Sequence, residues 1–416
     1  MTLFARTDNR PQTPLSGWQL SSPASKADPF PLYVRLRRSA AACRVALPFR
    51  QTAWLVTRYD DVVTVLTDER FTKDQWNVLS PRQRARQRWV RKVPNPFQWS
   101  LLDLDPPDHT RQRAVANRAF LPRRIEALRD RVEALTNELL DRAQPQGGMD
   151  VIRDYALHVP TTIIAEMLGV PAADRERFHR WSDILIATGS SARGVARTML
   201  AAWWFRRYLR RLIRARHNGP DGDFIGGLLQ PDEAGHALCE SEATSALFLL
   251  LVAGHETTIN LIGNGVLALL QHPDQLDRLR RDPELIRPAV EEILRFTSPF
   301  EIGTKRFAKE DVPLDGAVIR RGDRVYPVLA SANRDEQKFP EPDAFDITRE
   351  PNRHLGFGLG HHFCLGAALA RLDAQIAIGT LLDRFPEVRL NGPPDQLRWR
   401  RSMVMRGLES LPITWS

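Results

Sequence analysis

Cysteine and lysine are scarce in this 416-residue chain. Of its 59 Lys and Arg, six are Lys (Lys26, Lys73, Lys92, Lys305, Lys309, Lys338), so 53 are Arg. Three scattered cysteines, Cys43, Cys239 and Cys364, cannot form a disulfide framework, and no C-x-x-C pair suggests zinc. They are too few for an iron–sulfur cluster, and no G-x-G-x-x-G opens a dinucleotide-binding helix after a strand. Long apolar runs are also missing. None approaches the roughly 20 residues of a membrane helix, and the longest, over 246–253, soon meets His255 and Glu256. Residues 1–12 are polar and include Asp8 and Arg10, unlike a secretory signal. A cytoplasmic chain with reduced thiols and no membrane span is expected.

What is present suits a soluble globular protein. Hydrophobic residues make up 43%, enough for a sizeable core. Lys and Arg, 59, minus Asp and Glu, 50, leave a net charge of +9. Such a balance raises the possibility of a nucleic-acid partner. The arginines, however, are spread along the chain among acidic residues, and neither zinc-finger spacing nor a basic region before heptads occurs. A compositional habit explains the Arg excess equally well.

The length suggests about two or three domains, but no repeat or flexible linker divides the chain. Residues 1–27, rich in Pro and Ser, read as a flexible arm before one domain over 28–416. Residues 54–57 are strand-like and 60–66 helical. From Asp108 the pattern turns to long helices, over 125–140, 150–168, 172–187 and 193–217. Residues 242–271 form the longest candidate, about 45 Å long. It is apolar nearly all round and so belongs inside the core. A short helix over 288–296, β-like segments over 312–328, a tied-down coil over 332–355 and a last apolar helix over 364–385 follow, before a tail of short strands. The expected fold is mainly α with a minor β region, in one large domain.

Four constellations carry chemistry. Phe357 to Gly366 reads F-x-x-G-x-x-x-C-x-G, a glycine-rich loop ending at a thiol that opens an apolar helix. A helix N-terminus and exposed backbone N–H groups favour a thiolate, and Gly358, Gly360 and Gly366 admit a flat ligand. The plain alternative is a buried structural Cys. Ala253-Gly254-His255-Glu256-Thr257-Thr258 interrupts the core helix with polar groups that are costly to bury unsatisfied. A Thr hydroxyl at a widened turn beside a carboxylate would deliver protons, whereas His255 suits packing better than metal binding. Glu292 and Arg295, three apart, share a helix face and can pair. His109 and Arg113, four apart, can clamp an anionic group at a helix start, or simply form a solvated basic face.

These motifs, in this order, resemble a bacterial soluble cytochrome P450, a thiolate-haem monooxygenase, over roughly residues 28–413. The resemblance implies a triangular, mainly helical fold binding haem b. It makes Cys364 the axial thiolate to iron, whose electron donation favours O–O cleavage, and Phe357 the shield of the sulfur. It places His109, Arg113, Arg306 and His362 on the haem propionates, with Gly366 in the Cys loop. Glu256 and Thr257 match the acid–alcohol pair that relays protons, and Ala253 and Gly254 leave room for dioxygen. Glu292 and Arg295 match a structural pair supporting the Cys loop. One departure stands out: Ala344 occupies the place where the family often has an Arg completing that network, and Arg349, Arg353 or His354 is expected to substitute.

The implied reaction inserts one atom of O2 into a C–H bond and reduces the other to water. Electrons would come from a separate ferredoxin or flavodoxin with its reductase, and Arg111, Arg118 and Arg371 are docking candidates. By family position Trp89, Phe97 and Trp99 cover the pocket, and Leu249, Leu250, Ile302, Met403 and Val404 line it. A hydrophobic small molecule is the expected substrate. A peroxide-driven peroxygenase or a non-oxygenating thiolate-haem enzyme would be expected to lack Glu256-Thr257. A basic nucleic-acid binder would bind no haem and show salt-dependent DNA affinity.

Overall fold

A computed structural model describes residues 15–47, 51–87, 100–186, 192–216, 224–231 and 235–416. The helix Glu240–Gln271 is its axis, 32 residues long. By length and composition this helix could cross a membrane, but here it packs against Ala192–Arg216, His158–Met167, Ile286–Thr297 and Ala367–Arg384. The helix Arg129–Ala143 closes over Ala367–Arg384. Apolar side chains from these helices form one continuous core, including Leu140, Phe178, Phe248, Ile262, Ile293 and Ile378.

The minor β region is assembled from distant segments, as expected. One sheet runs in the order Leu15–Ser16, Ala42–Leu47, Gln51–Val56, Arg324–Pro327, Arg306–Ala308, Phe71–Thr72. Val45 pairs with Ala53 in its antiparallel hairpin, and Val325 joins Trp54 on one side to Arg306 on the other. This sheet sets Arg306 near Lys73. A second sheet pairs Pro412–Thr414 with Arg389–Leu390 and with Gly148–Asp150.

Several sequence expectations are corrected. Residues 15–27 of the expected flexible arm are packed. Ser16 and Gln19 form a capping box and Ser22 caps a helix beginning at Pro23, so Ser and Pro act as helix starters. Lys26 is fully buried, paired with Glu301, while Arg406 donates to the Lys26 and Ala27 carbonyls (2.9 and 3.0 Å). Residues 1–14 lie outside the described part. The helix expected over 125–140 breaks at Leu128 into Pro122–Glu126 and Arg129–Ala143. The last apolar helix begins at Ala367, three residues after Cys364.

Candidate functional site

The Cys loop folds on its own backbone. Gly358 N–H donates to Leu355 O (2.8 Å), Phe363 N–H to Gly360 O (3.0 Å) and Cys364 N–H to Phe357 O (2.9 Å). Gly358 and Gly360 sit at φ +71° and +74°, and a Cβ on Gly360 would lie 3.0 Å from Leu66 O. The thiol is thereby held just before the N-terminus of Ala367–Arg384. Burial pushes the Cys364 thiol up, while the Gly366 backbone N–H and the charges of Arg113 and Arg371 act to lower it.

A balanced ionic network supports this loop. Glu292 and Arg295 are fully buried and joined by two bonds of 2.7 Å. Arg295 also donates to the carbonyls of Asn333 (3.0 Å), Pro342 (2.8 Å) and Ala344 (2.9 Å). Glu292 further accepts from Asp346 N–H (3.0 Å), Asn352 Nδ2 (3.1 Å) and Arg349 Nε (3.3 Å). Arg349 is therefore the substitute for the missing Arg, its guanidinium also reaching the Ala344 carbonyl (3.1 Å). His354 bonds instead to Glu291 (3.0 Å), which Arg371 grips with two bonds of 2.7 Å; the Arg353 carbonyl accepts from Tyr59 (2.8 Å). Arg371 also lies 4.4 Å over the Phe357 ring.

A second cluster, of basic side chains with few carboxylates, includes His361 and His362 of the loop itself. His109, 1% exposed, packs against His362 and His361 at ring distances of 4.3 and 5.3 Å. Among the described residues, neither ring nitrogen of His109, nor Nε2 of His362, has a hydrogen-bond partner. Among the described residues, Arg306, 3% exposed, donates to the carbonyls of Leu66 (3.4 Å) and Thr304 (3.5 Å). Lys73 joins them, donating to Thr304 Oγ1 and Lys305 O (3.2 Å). The nearby carboxylate, Asp105, accepts from Thr72, from the backbone N–H of Lys73 and Asp74 (both 2.9 Å) and from Asn77 (3.0 Å). Burial, then the neighbouring positive groups, lowers His109 to about 4, while burial alone brings Arg306 to about 10. Lys73 and His362 are lowered for the same two reasons as His109.

The core helix carries a polar turn at its middle. Ala253 is exposed, although residues 243–248 and 258–269 on either side of this turn are buried. A Cβ on Gly254 would meet Ile164 Cδ1 at 2.9 Å, so Gly254 lets two helices touch. Burial raises the Glu256 carboxyl, with Arg400 opposing the shift. The widened turn expected here is absent. The helix stays α throughout, and Thr257 and Thr258 donate to the Ala253 and Gly254 carbonyls (2.8 and 2.9 Å). His255 is buried and bonds to Leu251 O.

Other expected site residues fall differently. Arg113 bonds Asn117 (2.9 Å) and its charge acts on Cys364. Leu249 and Leu250 are half-buried on the core helix. Ile302 lies in the β-side core. Its N–H bonds Val404 O (3.2 Å) and its side chain is fully buried in the cluster of Tyr33, Val45 and Leu55, against which Met403 and Val404 also pack. Trp89, Phe97 and Trp99 lie outside the described residues. The three docking candidates have partners within the chain. Arg111 pairs with Glu242, Arg118 donates to the carbonyls of Gly227, Gln230 and Pro231, and Arg371 holds Glu291. Lys73 and His361 are the members that sequence reading missed. The doublet His361-His362 was the available signal for the second; Lys73 carries no local pattern.

The donor set fits haem. Two propionates would satisfy the orphaned histidine nitrogens and neutralise Lys73 and Arg306. A thiol at a helix N-terminus suits an iron ligand, and an exposed Ala in a core helix leaves a flat ligand room. When bound, the haem iron activates dioxygen.

Comparison with known proteins agrees. The cytochrome P450 family profile matches residues 209–410. The chain is 42% identical over 403 residues to a cytochrome P450 of Bacillus subtilis, covering 97% of this chain and 98% of the relative. The solved structure of the B. subtilis bacillaene polyketide synthase cytochrome P450 PksS superposes with a TM-score of 0.88 at 39% identity, covering 95% of this chain and 99% of that one. P450BioI, solved in complex with an acyl carrier protein ligated to hexadec-9Z-enoic acid, superposes at 0.84 with 40% identity, covering 94% and 100%. The chain belongs to the cytochrome P450 family, the haem-dependent monooxygenases.

Proposed function

We propose that this monooxygenase oxidises a hydrophobic acyl-type or polyketide-type molecule, using electrons from a separate ferredoxin or flavodoxin with its reductase in the cytoplasm. The reaction consumes O2, two electrons and two protons, converting a substrate C–H to C–OH and releasing water. The observation that carries the assignment is Cys364 just before a helix start together with the unpartnered imidazole nitrogens of His109 and His362 and the buried cations Lys73 and Arg306. In this reading Cys364 ligates the iron, and Lys73, His109, Arg306 and His362 hold the propionates. Arg113 tempers the thiolate.

Glu256 and Thr257 handle protons. The raised Glu256 carboxyl retains a transferable proton to higher pH than an ordinary carboxyl. Thr257 Oγ keeps its lone pairs available while its own hydrogen points to Ala253 O. Electron entry is supported at the Cys loop, where Leu359 and Phe363 are 36% and 39% exposed. The substrate class rests on half-buried Leu249 and Leu250 and on the acyl and polyketide names of the similar structures.

The reduced, carbon monoxide-bound protein is expected to show the red-shifted Soret band of thiolate ligation, lost in Cys364→Ala. A histidine-type spectrum unaffected by that change overturns the ligand assignment. Turnover with a ferredoxin pair should exceed turnover with peroxide. Thr257→Ala should consume electrons without matching product, and unchanged coupling removes Thr257 from proton delivery.

A further inference from the structure

The outer face of the helix Ala192–Arg216 carries a surface that the oxygenation site does not use. Inward, Phe205 packs edge-on to Phe178 (5.4 Å) and against Phe248 of the core helix (5.8 Å). Outward, Met199, Leu200, Trp203 and Trp204 are 50%, 58%, 55% and 45% exposed. Single exposed apolar residues are ordinary, but four large ones within two turns form a patch. The next two turns present Arg207, Arg210, Arg211 and Arg214, all exposed. Arg214 pairs with Glu240 and Arg211 lies over Tyr208. Arg207 and Arg210 form no ion pair among the described residues, though the Arg210 charge helps to lower the Glu240 carboxyl. Positions 200, 203, 207, 210 and 214 follow one helical stripe, so apolar and cationic halves lie end to end on one face.

Trp, Met and Arg on a single exposed stripe are the residue types enriched where proteins bind proteins. The unpaired arginines call for an acidic partner, and the aromatic half for apolar contact on that same partner. This face is one helical layer from the core helix that carries Leu249, Leu250 and Ala253. Building on the acyl-type substrate proposed above, we propose that the outer face of Ala192–Arg216 docks an acidic acyl carrier protein that delivers the substrate tethered to it. Arg207 and Arg210 meet carboxylates on the carrier. Trp203 and Trp204 supply the apolar contact that holds it after encounter, and the tethered chain passes inward toward the core helix.

The test uses the haem-loaded enzyme, its spin-state shift, and two probes: hexadec-9Z-enoic acid and an acyl carrier protein charged with the same chain. Arg207→Glu with Arg210→Glu is expected to weaken the charged carrier about tenfold or more, an effect shrinking as salt rises. Free-acid affinity and the carbon monoxide spectrum should stay unchanged. Trp203→Ser with Trp204→Ser should weaken the carrier with little salt dependence. Equal carrier affinity in wild type and both variants overturns the docking site. Carrier affinity no tighter than that of the free acid overturns delivery. Vesicles of anionic phospholipid bound by wild type and lost in the variants, with carrier titration unmoved, reassign the face to a lipid surface. Self-association lost in the tryptophan variant, again with carrier titration unmoved, reassigns it to a second copy of the chain. If neither probe shifts the spin state, the acyl-substrate reading fails and docking with it. A shift with the free acid alone leaves that reading standing and removes only the docking.

Discussion

Two buried charge clusters flank the Cys364 loop, and they are built on opposite plans. Behind the loop, Glu291 and Glu292 meet Arg295, Arg349, Arg371 and His354, with backbone carbonyls taking the remaining donors. Beside it, Lys73, His109, Arg306, His361 and His362 face few carboxylates: Asp105, which already accepts several hydrogen bonds from its own chain segment, and Asp103, whose charge acts on Lys73. Burying ions is costly unless they are paired and hydrogen-bonded. The first cluster meets that condition within the chain and so is complete as a support. The second does not, and its shortfall is the shape of an anionic ligand. The contrast separates structural charge from binding charge without reference to sequence motifs.

The largest predicted effect comes from breaking the complete cluster. Arg295→Leu leaves Glu292 buried without its main partner and frees the Asn333 and Pro342 carbonyls, while the Ala344 carbonyl keeps Arg349. A loss of about 3–5 kcal/mol is expected, read as a collapse of soluble, haem-retaining protein. The double change Arg295→Leu with Glu292→Leu should recover part of that loss, because it removes the stranded charge. No recovery would show that Arg295 acts mainly through the Asn333, Pro342 and Ala344 carbonyls.

The second prediction concerns pH. His109 is held near 4 in the folded chain, against an ordinary value of 6.5. As pH falls below 6.5 the unfolded chain takes up a proton that folded His109 refuses, so stability falls until pH reaches about 4. The full effect is at most about 3 kcal/mol. His361, Arg113 and Lys73 face His109 with positive charge and Asp105 with negative, and the net push is toward the neutral ring. The haem-free protein should therefore lose stability faster between pH 6.5 and 4 than its His109→Phe variant does. Haem propionates would raise the His109 pKa, so loading the cofactor should shrink that difference. Parallel curves with and without haem would separate His109 from the propionates.

A third and smaller effect reverses sign between the two states. His109→Phe removes two buried nitrogens that have no partner. The haem-free protein should gain about 1 kcal/mol, while haem should leave the loaded protein about tenfold faster, equivalent to a loss of about 1.4 kcal/mol. Calorimetry on the haem-free protein and haem transfer to apomyoglobin measure the two halves. Destabilisation of both states would make His109 a core residue only.

The legibility of the two clusters in the sequence differs for the same physical reason. The Glu292–Arg295 pair is local, three residues apart on one helix, and the Cys loop advertises itself through glycines needed at positive φ. Lys73 and Arg306 are brought together by a sheet whose neighbouring strands are far apart in sequence, and nothing around Lys73 marks it. The packing of the N-terminal segment is not legible locally, because Pro and Ser start helices as well as loops, and the partner of buried Lys26 is Glu301, 275 residues away. The Ile302 side chain turns into the β-side core because its backbone pairs with Val404, far along the chain. Local chemistry was readable, whereas pairing across hundreds of residues was not.

Arg349 sharpens the comparison most finely. It touches the complete cluster from its edge, through one 3.3 Å bond to Glu292, and spends its other donors on the carbonyls of Pro340 (2.7 Å), Glu341 (3.2 Å) and Ala344 (3.1 Å). Glu292 keeps Arg295, the Asp346 N–H and Asn352 when Arg349 is removed. Arg349→Ala is therefore expected to cost only about 1 kcal/mol, seen as a slightly lower melting temperature and modestly faster haem loss, with the carbon monoxide spectrum intact. Arg349→Lys should recover less than half of this, since an ammonium cannot span a carboxylate and three carbonyls as the guanidinium does. A loss as large as that of Arg295→Leu would mean that the carbonyls of residues 340–344, more than the carboxylate of Glu292, hold the coil leading to the Cys loop in place.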